Sequence, residues 1–217
     1  VASALLVGLL VYYLFLILHF GPVKEIDKLM PYVTARFLLS VTVYLVFTII
    51  SINIILQVKR KFGPGNLWKI ISGKYHTPRE EERIFLFLDL KDSTTIAEQL
   101  GHIRYSQLLQ SCFHDMSDTI IKYKAEIYQY VGDEIVLSWP LIKGLEHLNF
   151  AKAYFAFSLK LQSKEKFYRE RFDVLPHFKG GMDFGPVTVA EIGDIKRDIA
   201  YHGDVLNSAS RIQNLCN

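Results

Sequence analysis

A domain of one sheet covered by helices, α/β or α+β in class, standing behind two membrane-spanning helices, is what the order of apolar runs predicts for these 217 residues. Three observations carry this reading. From residue 83 onward, strand-like and helix-like patterns alternate. Before them lie two long runs, Val1 to Phe20 and Phe37 to Val58, without a single Asp, Glu, Lys or Arg. Within the alternating part an aspartate twice follows an apolar strand, Asp89 near the end of Ile84 to Leu90 and Asp133 after Ile127 to Val131.

The first run, at ~1.5 Å per residue, is ~30 Å long, the thickness of a hydrocarbon core. It lacks a basic leading segment, and both runs exceed the apolar stretch of a signal peptide, so both read as spans. Lys59, Arg60 and Lys61 follow the second run directly, whereas the expected loop between spans mixes Lys24 and Lys28 with Glu25 and Asp27. The positive flank places the rest of the chain in the cytoplasm and the protein, multi-pass, in the plasma or inner membrane. Residues 59–82 read as a juxtamembrane linker with breakers at Gly63-Pro64-Gly65 and Thr77-Pro78-Arg79. Between them Asn66 is placed to cap a short helix carrying Leu67, Trp68, Ile70 and Ile71 against membrane lipid.

The first strand, Ile84 to Leu90, is apolar at nearly every position, as a strand buried on both faces is. Helical stretches follow over 93–99 and 102–123, the second with Ile103, Leu108, Phe113, Met116 and Ile120 on one broad face. Gly132-Asp133 then separates two apolar runs as a two-residue hairpin turn does. Residues 145–167 read as a long helix with Leu148, Ala151, Phe155 and Leu159 on one stripe, widened by Phe150, Tyr154 and Leu161. Strands are expected near 177–182, 187–192 and 198–202, the first two joined through Gly185-Pro186. A last helix starts after Gly203, with Asp204 as cap.

The net charge of +3 argues against a nucleic-acid partner. Cys112 and Cys216 are the only cysteines and neither stands in a CxxC, which fits a reducing compartment, with Cys112 a core residue. The seven histidines show no paired ligand spacing, so no zinc site is expected. If the two aspartate-bearing strands are neighbours, Asp89 and Asp133 reach one point. Two hard carboxylates without a Cys or His cage suit Mg²⁺ or Mn²⁺, which keep waters and take further ligands from substrate phosphates.

Three blocks in order, FLDLKDST (87–94), YVGDE (130–134) and HGDVLNSASR (202–211), are similar to the catalytic domain of the class III nucleotidyl cyclases. Over 83–217 the resemblance implies a ferredoxin-like, palm-type antiparallel sheet covered by helices. It also implies conversion of a nucleoside triphosphate to a 3′,5′-cyclic monophosphate and pyrophosphate with two Mg²⁺ or Mn²⁺ ions per site. By the same resemblance Asp89 and Asp133 are the metal aspartates, with the Leu90 carbonyl a further ligand. Asn207 and Arg211 are the transition-state pair, and Lys91, Ser93 and Thr94 lie at the triphosphate, Ser93 and Thr94 being equally readable as helix caps. The family takes the aspartates from one catalytic domain and the Asn/Arg pair from its partner, so a chain with both sets is expected to work as a homodimer.

Gln129 and Ala200 stand at the family's base-reading positions and match neither the adenylate-forming nor the guanylate-forming pattern. A glutamine both donates and accepts, which suits adenine, so ATP is the expected substrate. A guanylate cyclase and a nucleotide-binding or membrane-sensing module without turnover stay open as alternatives. Gly-Asp-Glu on a hairpin is also similar to the diguanylate cyclases, against which the Asn207/Arg211 block speaks. The family's catalytic domains continue through further strands bearing a phosphate-binding lysine, so the chain is expected to be a fragment.

Overall fold

The computed structural model describes residues 26–62, 69, 72–195 and 197–216. The chain divides into two compact units, Val1–Gln57 and Val58–Asn217. Helix α1 runs over Ile26–Phe62, mostly in the first unit and ending in the first residues of the second, and contains one segment, Arg36–Val58, long and apolar enough to cross a membrane by length and composition. Its apolar side chains, Leu39, Phe47 and Ile55 among them, are exposed. The expected first span, residues 1–20, lies outside the described residues, so two spans are not seen. The expected inter-span loop is helical from Ile26 onward, because its mixed charges leave the helical pattern uninterrupted.

The second unit carries a five-stranded sheet in the order β2-β3-β1-β4-β5, every neighbouring pair antiparallel. Its strands are β1 Arg79–Leu90, β2 Glu126–Val131, β3 Glu134–Pro140, β4 Phe178–Ile192 and β5 Asp198–His202. The helices are α2 Ser93–Lys122, interrupted at Gly101, α3 Leu141–Leu145, α4 Asn149–Ser163, α5 Glu165–Phe172 and α6 Asp204–Leu215. The α+β class and the helix-covered antiparallel sheet are as expected.

β1 is apolar from Ile84 to Leu88 because both its faces are covered there. Ile84, Leu86 and Leu88 join Ile135, Leu137 and Trp139 on one face, packed with Leu108, Cys112 and Met116 of α2 and Ala153, Phe157 and Leu161 of α4. Phe85 and Phe87 join Val136, Val187 and Val189 on the other, under Val205 and Ala209 of α6. The sheet curls over this second face until its two edge strands meet: the rings of Tyr128 on β2 and Tyr201 on β5 are 4.9 Å apart at 83°.

Several elements differ from expectation. β1 starts at Arg79 rather than Ile84, so residues 79–82 leave the linker: Arg79 pairs with Val189 and Glu82 with Pro186 across the ladder to β4. β4 is one strand through Gly185-Pro186, since along Phe178–Val187 it has β1 alone as a strand partner, where a residue without N–H is tolerated. The expected helix over 145–167 is broken twice, at His147 and Leu148, which have positive φ, and at Lys164. Its buried stripe is Asn149, Ala153, Phe157 and Leu161, while Phe155 and Leu159 face outward. Asn149 turns inward because its amide donates to the Lys143 carbonyl at 3.0 Å. On α2 Ile103 is likewise exposed, and Cys112 is buried, its thiol pushed up to about 12 mainly by burial.

Candidate active site

The hairpin that carries Asp133 is closed by Gly132 at φ 62°, a left-handed conformation that a side chain disfavours, and Val131 pairs with Glu134 across the two-residue turn. Asp89 lies one residue before the end of β1, opposite Lys179 of β4. Since β3 pairs with β1, hairpin and strand end meet, and the two carboxylates act on each other. The Asp89 carboxyl is raised, first by burial and then by the Asp133 charge, with Lys179 opposing. Glu134 is raised as well, by burial and then by Asp89 and Asp133. Asp89 and Asp133 thus lie close enough to interact.

Two donors converge on one Asp89 oxygen: Gln213 Nε2 lies 3.0 Å and Lys179 Nζ 3.4 Å from Oδ2. Tyr105 of α2 comes in from the helix layer. Its hydroxyl is raised by burial and by the Asp133 charge, and Ser93 hydrogen-bonds to it. None of Gln213, Lys179 and Tyr105 was singled out from the sequence. Only Gln213 carried a signal, a polar residue on the stripe Val205–Ala209–Gln213 that α6 buries.

Asp92, in the left-handed region, is the cap residue of α2, though its side chain makes no capping hydrogen bond. Ser93 and Thr94 therefore sit in the first helical turn, where free N–H groups and the helix dipole favour an anion. The Lys91 amide is withdrawn from that set, because it donates to the His177 carbonyl at 2.8 Å. Leu90 is buried and paired with Phe178 at the strand end.

Gln129 follows a bulge in β2, where Ile127 pairs with Leu137 but Gln129 with Val136, and it is exposed. Ala200 is buried on β5, opposite Ala190. Each is next in sequence to a member of the touching Tyr128–Tyr201 pair, which joins the two edge strands. Asn207 and Arg211 are not gathered with them. Both are exposed, one turn apart, and each stands two residues, or about 200° of helix, from the buried stripe of α6.

The donor set fits a hard divalent cation. Burial and then the Asp133 charge raise the Asp89 carboxyl, and two carboxylates that meet at one point favour a positive charge between them. Among the described residues no group of three or more His, Cys, Asp or Glu is arranged to hold a metal ion by itself, so such an ion would complete its shell with waters and phosphates.

Residues 76–217 match the model of the adenylate and guanylate cyclase catalytic domain. The chain belongs to this family. It is 31% identical over 178 residues to adenylate cyclase 2 of Rhizobium meliloti (strain 1021), an alignment covering 82% of this chain and 49% of the relative, so the chain spans about half that protein's length. Among solved structures, a bacterial light-regulated adenylyl cyclase superposes with a TM-score of 0.66 at 21% identity, covering 82% of this chain and 52% of that one. The adenylyl cyclase CyaB of P. aeruginosa gives 0.59 at 20% identity, covering 64% and 74%. At such identities these likenesses show the cyclase fold.

Proposed function

We propose that the chain is the catalytic part of a membrane-anchored adenylate cyclase, forming 3′,5′-cyclic AMP and pyrophosphate from ATP at sites shared between two copies. The observation that carries it is the division of α6. Its inner face packs beside Asp89 while its outer face offers Asn207 and Arg211 to solvent, away from the chain's own aspartates.

Asp89 and Asp133 would hold Mg²⁺ or Mn²⁺, which when bound activates the ribose 3′-hydroxyl and grips the triphosphate. The residues of the chain do the rest. The first-turn amides of α2 at Ser93 and Thr94 cradle phosphate oxygens, and Lys91 contributes through its side chain. From the partner copy, the residue equivalent to Asn207 orients the ribose. The one equivalent to Arg211 balances the charge that builds at the α-phosphate, a contact worth ~3–4 kcal/mol in the transition state. Gln129 reads the base with an amide that donates to the adenine ring and accepts from its amine, and the name of the Rhizobium meliloti relative supports adenine over guanine.

The segment Arg36–Val58 supports anchoring in the membrane, with Lys59 to Lys61 on the cytoplasmic side. Incubating the chain with ATP or GTP and Mn²⁺ and identifying the product tests the activity. Cyclic AMP is expected. Cyclic GMP alone would reassign the base, and no cyclic product would favour a module that binds nucleotide without turnover.

A further inference from the structure

We infer that Gln213 is a positioning residue, whose side-chain amide fixes the Asp89 carboxylate in the orientation that receives the metal ion. The inference rests on the reading of Asp89 as a metal ligand.

Gln213 is 2% exposed. It is the third member of the α6 stripe whose other two, Val205 and Ala209, are apolar as docking on a sheet requires. A glutamine at that depth is costly unless its polar atoms are bonded. Here Nε2 donates to Asp89 Oδ2, across 124 residues of sequence.

The close approach is built into β4. A Cβ on Gly181 would stand 2.2 Å from both the Ala209 carbonyl oxygen and the Gln213 nitrogen, so only glycine lets the helix backbone come near enough for the amide to reach β1. The second donor on the same oxygen differs in kind. Lys179 carries a charge that repels an arriving cation, and it sits at the end of a long, partly exposed stem that can withdraw. Gln213 is neutral. It holds the carboxylate plane with or without a cation, and its N–H dipole opposes the ion far less than a full positive charge does. The same helix would thereby join the metal half of one site to the Asn207/Arg211 half of the other.

The test is direct titration of the full chain with Mn²⁺ alone, followed by the electron paramagnetic resonance of the free ion, for wild type, Gln213→Met, Gln213→Ala and Asp89→Asn. Met keeps the buried volume and guards against a variant that fails to fold. Both Gln213 variants are expected to bind Mn²⁺ about 10–100-fold more weakly, with turnover recovered at saturating Mn²⁺. Wild-type affinity in a folded Gln213→Met, while Asp89→Asn loses binding, would overturn the positioning role and leave the metal assignment standing. Unchanged binding in Asp89→Asn would overturn both.

Discussion

Asp89 meets burial, a second carboxylate and two donors within one side chain, and its substitution is the simplest probe of the site. Asp89→Asn and Asp133→Asn are each expected to abolish turnover while leaving the unfolding midpoint near wild type, since each removes one ligand charge from a site already folded. Substantial turnover of either variant at saturating Mn²⁺ would count against a two-carboxylate site. At the base, Gln129→Glu removes the donor and adds a charge. Relative kcat/KM should then move toward GTP by roughly ten- to a hundredfold, as befits ~1–3 kcal/mol for one bidentate contact; a change below about twofold would mean that pocket shape selects the base. Asp89 and Asp133 were legible because a carboxylate closing an apolar run is a local pattern. Lys179, Tyr105 and Gln213 were not, because what makes each of them matter is the strand register or helix packing that brings it to the aspartates from far along the chain.

At the scale of the element, α6 docks through Gly181. Gly181→Ala would drive a methyl group into the helix backbone, and overpacking of this kind costs about 1–3 kcal/mol. In a unit of this size that is a fall of several degrees in the unfolding midpoint. Differential scanning calorimetry checks it, and an unchanged midpoint would show that the helix can move away freely. Periodicity located nearly every element, since alternation and the 3.6-residue repeat survive without tertiary knowledge. It erred where partners overrode local signals. Gly185-Pro186 resembles a turn yet stays in β4, which is held by β1. Asn149 resembles a surface residue yet leads the buried stripe of α4, because Lys143 supplies its acceptor.

Across the second unit, a buried polar network ties the segment before β1 to the sheet. Arg83, 1% exposed, donates to Glu81, Glu126 and Ser138 and lies 4.8 Å from the Tyr201 ring, while Lys69 reaches Glu126 at 2.8 Å. Removing one member strands the others, so Arg83→Met should cost about 3–5 kcal/mol in chemical denaturation. Burial alone would raise Glu81, but hydrogen bonds from Lys74, Tyr75 and Arg83 override it and hold the carboxyl at about 2. Its contribution is therefore complete above the ordinary value of 4.5 and is lost as pH falls from there through 2. Glu81→Gln should flatten stability over that window, and an unaltered pH profile would show that the three donors do not govern it.

The claim with the widest reach is that two copies share each site, and mixing two inactive variants tests it most directly. Asp89→Asn and Arg211→Ala, each inactive alone, put both lesions in one site of the heterodimer and leave the other intact. Random reassortment should restore about a quarter of wild-type cyclase activity. No recovery, with heterodimers demonstrated, would contradict the shared site.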